Sequence, residues 1–338
     1  MNLTIWEYKR QLGGMDLFSK MIDRYALRNF HKNISNVLQY TPFQELVDKR
    51  NSNEFYNANS VPNVFFTTHS IKEEYSTGIF EFQSTFPTGD IFNDLVTGEF
   101  VQQENKEQPN VIFVHGWRMK SNDRLIKMFQ HHMKKHQWNM YYYTLPYHLQ
   151  RKPSGSSFSG EYMVSADIER TVQAVRQAVV DLRSFIHSIK KRQQGPVFVV
   201  GLSLGGFITN LLATVEDQVD AMVSIFYVNS LAHMIWNTDP GKFIKKELLE
   251  NGVRYQEISE HFKILEAGLV PPKIKQDHIL LLSAKYDQYV DIEDADVLWN
   301  AWNKPRRIIY NCGHSGIVLK RNKIAKDVMT FLQNRTMR

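Results

Sequence analysis

The stretch "VVGLSLGGF" (199–207) sets a serine between two glycines, after a β-branched run and before an apolar one. A serine hydroxyl is a weak nucleophile at neutral pH. It is activated when an imidazole takes its proton and a carboxylate holds that imidazole in one tautomer. Two later stretches supply those types. "AKYDQYV" puts Asp287 just after an apolar run, and "YNCGHSGI" puts His314 just after another, beside small Gly313 and Ser315. The order Ser203, Asp287, His314 suits a nucleophile on a sharp strand-to-helix turn, with its partners on later loops. Such chemistry also needs two N–H groups for an oxyanion. Leu204, next after the serine, offers one, and "VHGW" points to the backbone N–H of Trp117 as the other. His115 in that loop is read as fixing it by a hydrogen bond rather than moving protons, and is kept as a substrate-contact candidate.

Competing residues are weaker. Asp291 opens "DIEDADVLWNAW", where a helix N-cap accounts for it, and Asp239 lies in a helical excursion. Cys312 reads as a small core residue. His132 and His136 in "HHMKKH" have the i, i+4 spacing of a metal pair but no third ligand at suitable spacing, so no metal and no organic cofactor are expected.

The elements that must position these side chains follow from periodicity. Residues 1–50 read as helical, with Met15, Phe18, Met21, Ile22 and Tyr25 at helical spacing, and Gly13-Gly14 breaks an earlier short helix from this one. "NVFFTTHS", "GIFEFQSTF" and "LVTGEFVQQ" read as strands separated by turns. "QPNVIFVHGW", "NMYYYTLPYH", "PVFVVG", "AMVSIFYV", "HILLLSAKYD" and "RRIIYN" are further strands. Helices are predicted over 161–193, from Leu204, and near 322–335. Continuous apolar strands alternating with helices imply a mostly parallel, doubly wound α/β sheet covered on both faces. Residues 229–275 interrupt the rhythm with short helical patterns that include Met234, Trp236, Phe243 and Phe262. They read as a cap over the pocket, or equally as extra packing with no gating role.

The motifs "HGW", "GLSLGG", "YD" and "GH" together resemble the α/β-hydrolase superfamily over about residues 75–335. The stretch "LPYHLQRKPSGSSFSGE" (145–161) looks like a sparsely characterised branch of it whose members have no defined substrate. One departure is Leu149, where related chains often carry glycine. The resemblance implies the α/β-hydrolase fold, a helical N-terminal extension over 1–60, and a hydrolase domain over 61–338 with a helical cap insertion at about 229–275. Read residue by residue, 145–161 is a polar cluster on the side of the proposed site. Tyr147, His148, Arg151 and Lys152 are substrate-binding candidates there, and Arg151 and Lys152 could hold a phosphate or carboxylate. The competing reading is a loop ordered by its own Ser and Glu bonds, with Ser159 or Gly160 capping the long helix.

The 338 residues suffice for one large α/β domain with insertions. Apolar content of 43% and charged content of 22% belong to a globular chain with a sizeable core. A net charge of +6 is far below the charge density of a nucleic-acid binder, and no such motif occurs. A single cysteine excludes an intrachain disulfide. No apolar run approaches the length of a membrane span, and the opening residues lack the order of a secretory signal, so a cytoplasmic location is expected. Six basic and three acidic residues within 1–32 leave peripheral membrane contact open. The expected activity is cleavage of a small-molecule or lipid ester or thioester, with amide cleavage or a binding role without turnover as rivals. The oligomeric state is left undetermined.

Overall fold

The computed structural model describes residues 5–31, 40–42, 52–58, 60–72 and 75–336, with side chains from Leu17 onward. Nine strands form one sheet: β1 (Phe65–Lys72), β2 (Tyr75–Gln83), β3 (Leu95–Gln103), β4 (Asn110–Val114), β5 (Asn139–Tyr143), β6 (Val197–Leu202), β7 (Ala221–Ile225), β8 (Ile279–Ala284) and β9 (Arg306–Tyr310). Their order is β1-β2-β3-β5-β4-β6-β7-β8-β9. The first three strands and the β3–β5 pair are antiparallel. From β5 to β9 every pairing is parallel.

The central parallel strands β4, β6, β7 and β8 are mainly apolar because both faces are covered. All residues of β4, β6, β7 and β8 are buried. Alternation along each strand divides them between two cores. Ile112, Val114, Val197 and Val199 pack with α5 (Ile168–Arg192), α6 (Leu204–Val215) and α10 (Ile292–Ala301). Val111, Phe113, Phe198 and Val200 pack with α4 (Asp123–Lys135) and α11 (Ile317–Gln333). The segment between β7 and β8 contains α7 (Leu231–Asn237), α8 (Lys242–Glu250) and α9 (Tyr255–Phe262) with short 3₁₀ turns, and no strand. Two single-turn helices, α2 (Ser52–Phe55) and α3 (Ile91–Asp94), precede β1 and β3.

Three boundaries differ from expectation. α1 (Ile5–His31) is one helix that passes through Gly13-Gly14. Two glycines lower helix propensity by about 1 kcal/mol each without forbidding the conformation. The side chain of Met15 lies outside the described residues. α5 begins at Ile168 rather than 161, because Asp167 caps it by accepting from the Arg170 N–H at 3.1 Å. Neither Ser159 nor Gly160 is the cap. α11 begins at Ile317, five residues before the expected start near 322. On the outer side of α1, Leu17, Phe18, Met21 and Tyr25 are exposed. Among the described residues no helix is long and apolar enough to cross a membrane.

Candidate active site

Parallel strands deliver their carboxyl ends to one edge of the sheet, and the loops that leave those ends carry the chemistry. β6 ends at Leu202 and gives Ser203 at once. This serine adopts φ 55° and ψ −115°, a left-handed geometry that non-glycine residues hold only under constraint. The constraints are visible. The Ser203 N–H is tied to the Ile225 carbonyl at 2.8 Å, and α6 starts on the next residue. Gly205 in its first turn lies so close to β4 that a Cβ there would run into the Val114 carbonyl.

The loop after β9 brings the His314 imidazole to Ser203, with Nε2 3.1 Å from Oγ. The loop after β8 brings Asp287, whose Oδ2 accepts from His314 Nδ1 at 2.7 Å. The other carboxylate oxygen of Asp287 accepts the Tyr289 and Val290 N–H groups at 2.8 and 2.9 Å. Both residues are buried, and the Tyr289 ring stacks on the imidazole with centroids 4.6 Å apart. The rival carboxylates are engaged elsewhere. Asp291 meets His233 Nε2 at 2.7 Å and makes no side-chain cap bond. Asp239 pairs with His31 and Lys242. Cys312 is buried, and burial pushes its thiol up to about 12.

Gly116 lies against Ser203, where a Cβ would meet that of the serine at 3.3 Å. Among the described residues, the Trp117 backbone N–H has no hydrogen-bond partner. The N–H of Leu204, first residue of α6, is one of the donors that a helix start leaves free. The two amides are therefore available together beside Ser203.

The 145–161 stretch braces this loop. His115 is fully buried and neutral, its pKa lowered to about 4 by burial. Its Nδ1–H donates to the Gly116 carbonyl at 2.9 Å, and its Nε2 accepts the Leu145 N–H at 3.1 Å. His148, equally buried, donates from Nδ1 to the Pro146 carbonyl and accepts the Arg118 N–H on Nε2. Burial holds its pKa well below the usual imidazole range. The Trp117 indole donates to the Gly160 carbonyl at 2.8 Å. Arg151 is fully buried, ion-paired to Asp181 at 3.2 Å and bonded to the carbonyls of Asn93 and Thr144. Lys152 caps the Pro153 and Ser156 carbonyls, and the Tyr147 N–H donates to Asn93. None of the five substrate-contact candidates, His115, Tyr147, His148, Arg151 and Lys152, lines the cavity beside Ser203. Tyr147 and Leu149 both have positive φ, at 60° and 46°. Position 149 therefore has the backbone geometry that favours the glycine of related chains.

A cavity of about 640 Å³ opens beside Ser203 and His314. Trp117 and Leu204 line it, as do Ala26 and Phe30 of α1 and Val228, Met234 and Pro240 from the cap side.

One residue essential to this geometry has no motif. Asp23, fully buried on α1, accepts the N–H groups of His314 and Ser315 at 2.8 Å and of Gln288 at 3.0 Å. It ties the histidine loop to the aspartate loop. A Cβ at Gly313 would strike its carboxylate. Burial, and then the Asp287 charge, raise its pKa. Its only sequence signal was an acid within an amphipathic helix, which reads as a wet face.

No family model matches the chain. Its backbone is similar to an acetyl xylan esterase from Paenibacillus sp. R4, with a TM-score of 0.64 at 13% identity over 86% of this chain and 97% of that one. It is also similar to the acylaminoacyl peptidase of Pyrococcus horikoshii, with a TM-score of 0.54 at 15% identity over 78% of this chain and 42% of that one. These likenesses fix the α/β-hydrolase fold. YdjC, an uncharacterized protein of Bacillus subtilis strain 168, is 52% identical over 114 residues, 34% of this chain and 98% of its own length. The chain belongs to the family of YdjC.

Proposed function

We propose that the protein is a serine hydrolase that cleaves a carboxylic ester or thioester through an acyl-enzyme. The observation that carries this reading is the unbroken line from Asp287 to His314 to Ser203, at 2.7 and 3.1 Å, on a strained turn. Ser203 Oγ attacks the carbonyl carbon while His314 Nε2 takes its proton. The Leu204 and Trp117 amides receive the oxyanion. His314 returns the proton to the leaving group, and Asp287 keeps Nδ1 protonated and stabilises the imidazolium. Water then attacks the acyl-enzyme with His314 as base. The apolar cavity lining from Phe30, Val228, Met234 and Val290 supports an apolar acyl portion.

The test is labelling with a fluorophosphonate, wild type beside Ser203→Ala, followed by p-nitrophenyl esters from acetate to palmitate. Wild type labels, Ser203→Ala does not, and its kcat falls by about 10⁴-fold or more. A folded wild-type protein that fails to label would remove the reading in favour of a binding role. A matched ester and amide pair then separates esterase from amidase.

A further inference from the structure

The cavity beside Ser203 has a lopsided charge. Arg118, Lys120, Arg124, Lys127 and Arg321 line it against one carboxylate, Asp123. Elsewhere in the fold several basic side chains have acidic partners, as in Arg151–Asp181, Arg183–Glu216, Lys190–Asp220 and Arg307–Asp296. Among the described residues none of the five cavity cations forms an ion pair. They come from three elements, the loop after β4, α4 and α11, that converge on one opening. Like charges so grouped repel one another until a counter-charge arrives.

Arg118 is the most built of them. Its backbone N–H is pinned by His148 at 3.3 Å. Its guanidinium lies between two rings, 4.2 Å from the Phe30 centroid and 3.8 Å from that of Phe158. Its Nη1 is buried and has no hydrogen-bond partner. A planar fork held on both faces has lost its side-chain freedom in advance, and its free edge matches a carboxylate or phosphate. Burial lowers its pKa to about 10, so it stays cationic at neutral pH. Arg118 directly follows Trp117, so this fork sits on the same loop as the proposed oxyanion donor.

We infer that the cavity selects an ester or thioester bearing a carboxylate or phosphate, which Arg118 holds while Arg124, Lys127 and Arg321 supply the surrounding positive field. The inference rests on the reading of Ser203 as the nucleophile. It also moves anion recognition from Arg151 and Lys152, which are occupied structurally, to Arg118 on the oxyanion loop itself.

The test compares matched esters, each corrected with a Ser203→Ala blank because a pendant carboxylate speeds its own ester's hydrolysis. On the acyl side, p-nitrophenyl valerate is set against the mono-p-nitrophenyl ester of glutaric acid and p-nitrophenyl 4-phosphonooxybutyrate. On the leaving-group side, p-carbamoylphenyl butyrate is set against p-carboxyphenyl butyrate. At least one anionic ester should exceed its neutral match in kcat/KM by about tenfold, mainly through KM. The member that does so distinguishes carboxylate from phosphate and acyl side from leaving group. Raising the salt from low to high should shrink the ratio in wild type, and Arg118→Gln should bring it close to one. Ratios near one for every pair, in wild type that labels with fluorophosphonate, would overturn the inference alone. Absence of labelling would instead overturn the nucleophile reading beneath it. A ratio that survives both high salt and Arg118→Gln would remove Arg118 as its source.

Discussion

Asp23 accepts three backbone N–H groups, and the loops it joins carry the acid and base of the proposed triad. Its Oδ2 serves Gln288 and His314, and its Oδ1 serves Ser315. Asn is nearly the same shape, yet one of its two ends is a donor facing donors. Asp23→Asn should therefore leave the fold intact and loosen the imidazole. Losing buried bonds to a charged acceptor costs roughly 1.5–3 kcal/mol. The expected outcome is a fall in kcat of about ten- to a hundredfold with KM little changed, and an equal fall in the rate of fluorophosphonate labelling. An unchanged labelling rate in a folded variant would show that Asp23 has no part in placing His314. The contact among Ser203, Asp287 and His314 was legible because each residue stands next to a strand end, where chain order limits the possible partners. Asp23 was not legible, because its meaning depends on loops 265 and 291 residues away. Arg118 hid for a similar reason, since its aromatic walls, Phe30 and Phe158, come from two distant segments.

Among the elements, the central parallel strands were readable because burial on both faces favours apolar runs. Helix ends were less so. The turn-rich segment before Asp167 has apolar residues, Met163, Val164 and Ala166, buried in the core at spacings that mimic a helix. The start of α11 was hidden by charged residues around Val318 and Leu319, which are exposed on its outer side. Two of the best-defined helices, α5 and α6, are joined by a staple at Glu216, the C-cap of α6. Its carboxylate meets His187 at 2.9 Å and Arg183 at 3.1 Å, both on α5. Burial alone would raise its pKa, but the His187 and Gln218 bonds and the Arg183 charge bring it down to about 2. A carboxyl held below its unfolded value of 4.5 stabilises the fold above that pH and loses this contribution as pH falls toward 2. The contribution is about 3 kcal/mol. Glu216→Gln should thus be less stable than wild type at pH 7, and the gap in unfolding free energy should narrow steadily below pH 4.5. A gap independent of pH, followed by urea unfolding, would remove Glu216 as the source.

The whole molecule gathers its cavity from α1, the loop after β4, α4, the cap and α11. Its sheet alone cannot complete the site. Asp23 and His314 are 291 residues apart in the chain, so closing that contact joins segments made at very different times. Contacts of such separation form late, after local helices and neighbouring strands have condensed. During synthesis α1 must wait, its Asp23 without partners, until the His314 loop has left the ribosome. The braced contact of His314 with Ser203 and Asp287 is then among the last features the chain acquires. In refolding from urea, fluorophosphonate labelling should return more slowly than far-ultraviolet circular dichroism, and simultaneous recovery would show that α1 docks early. A chain built this way leaves Ser203 without a braced imidazole partner while half-made.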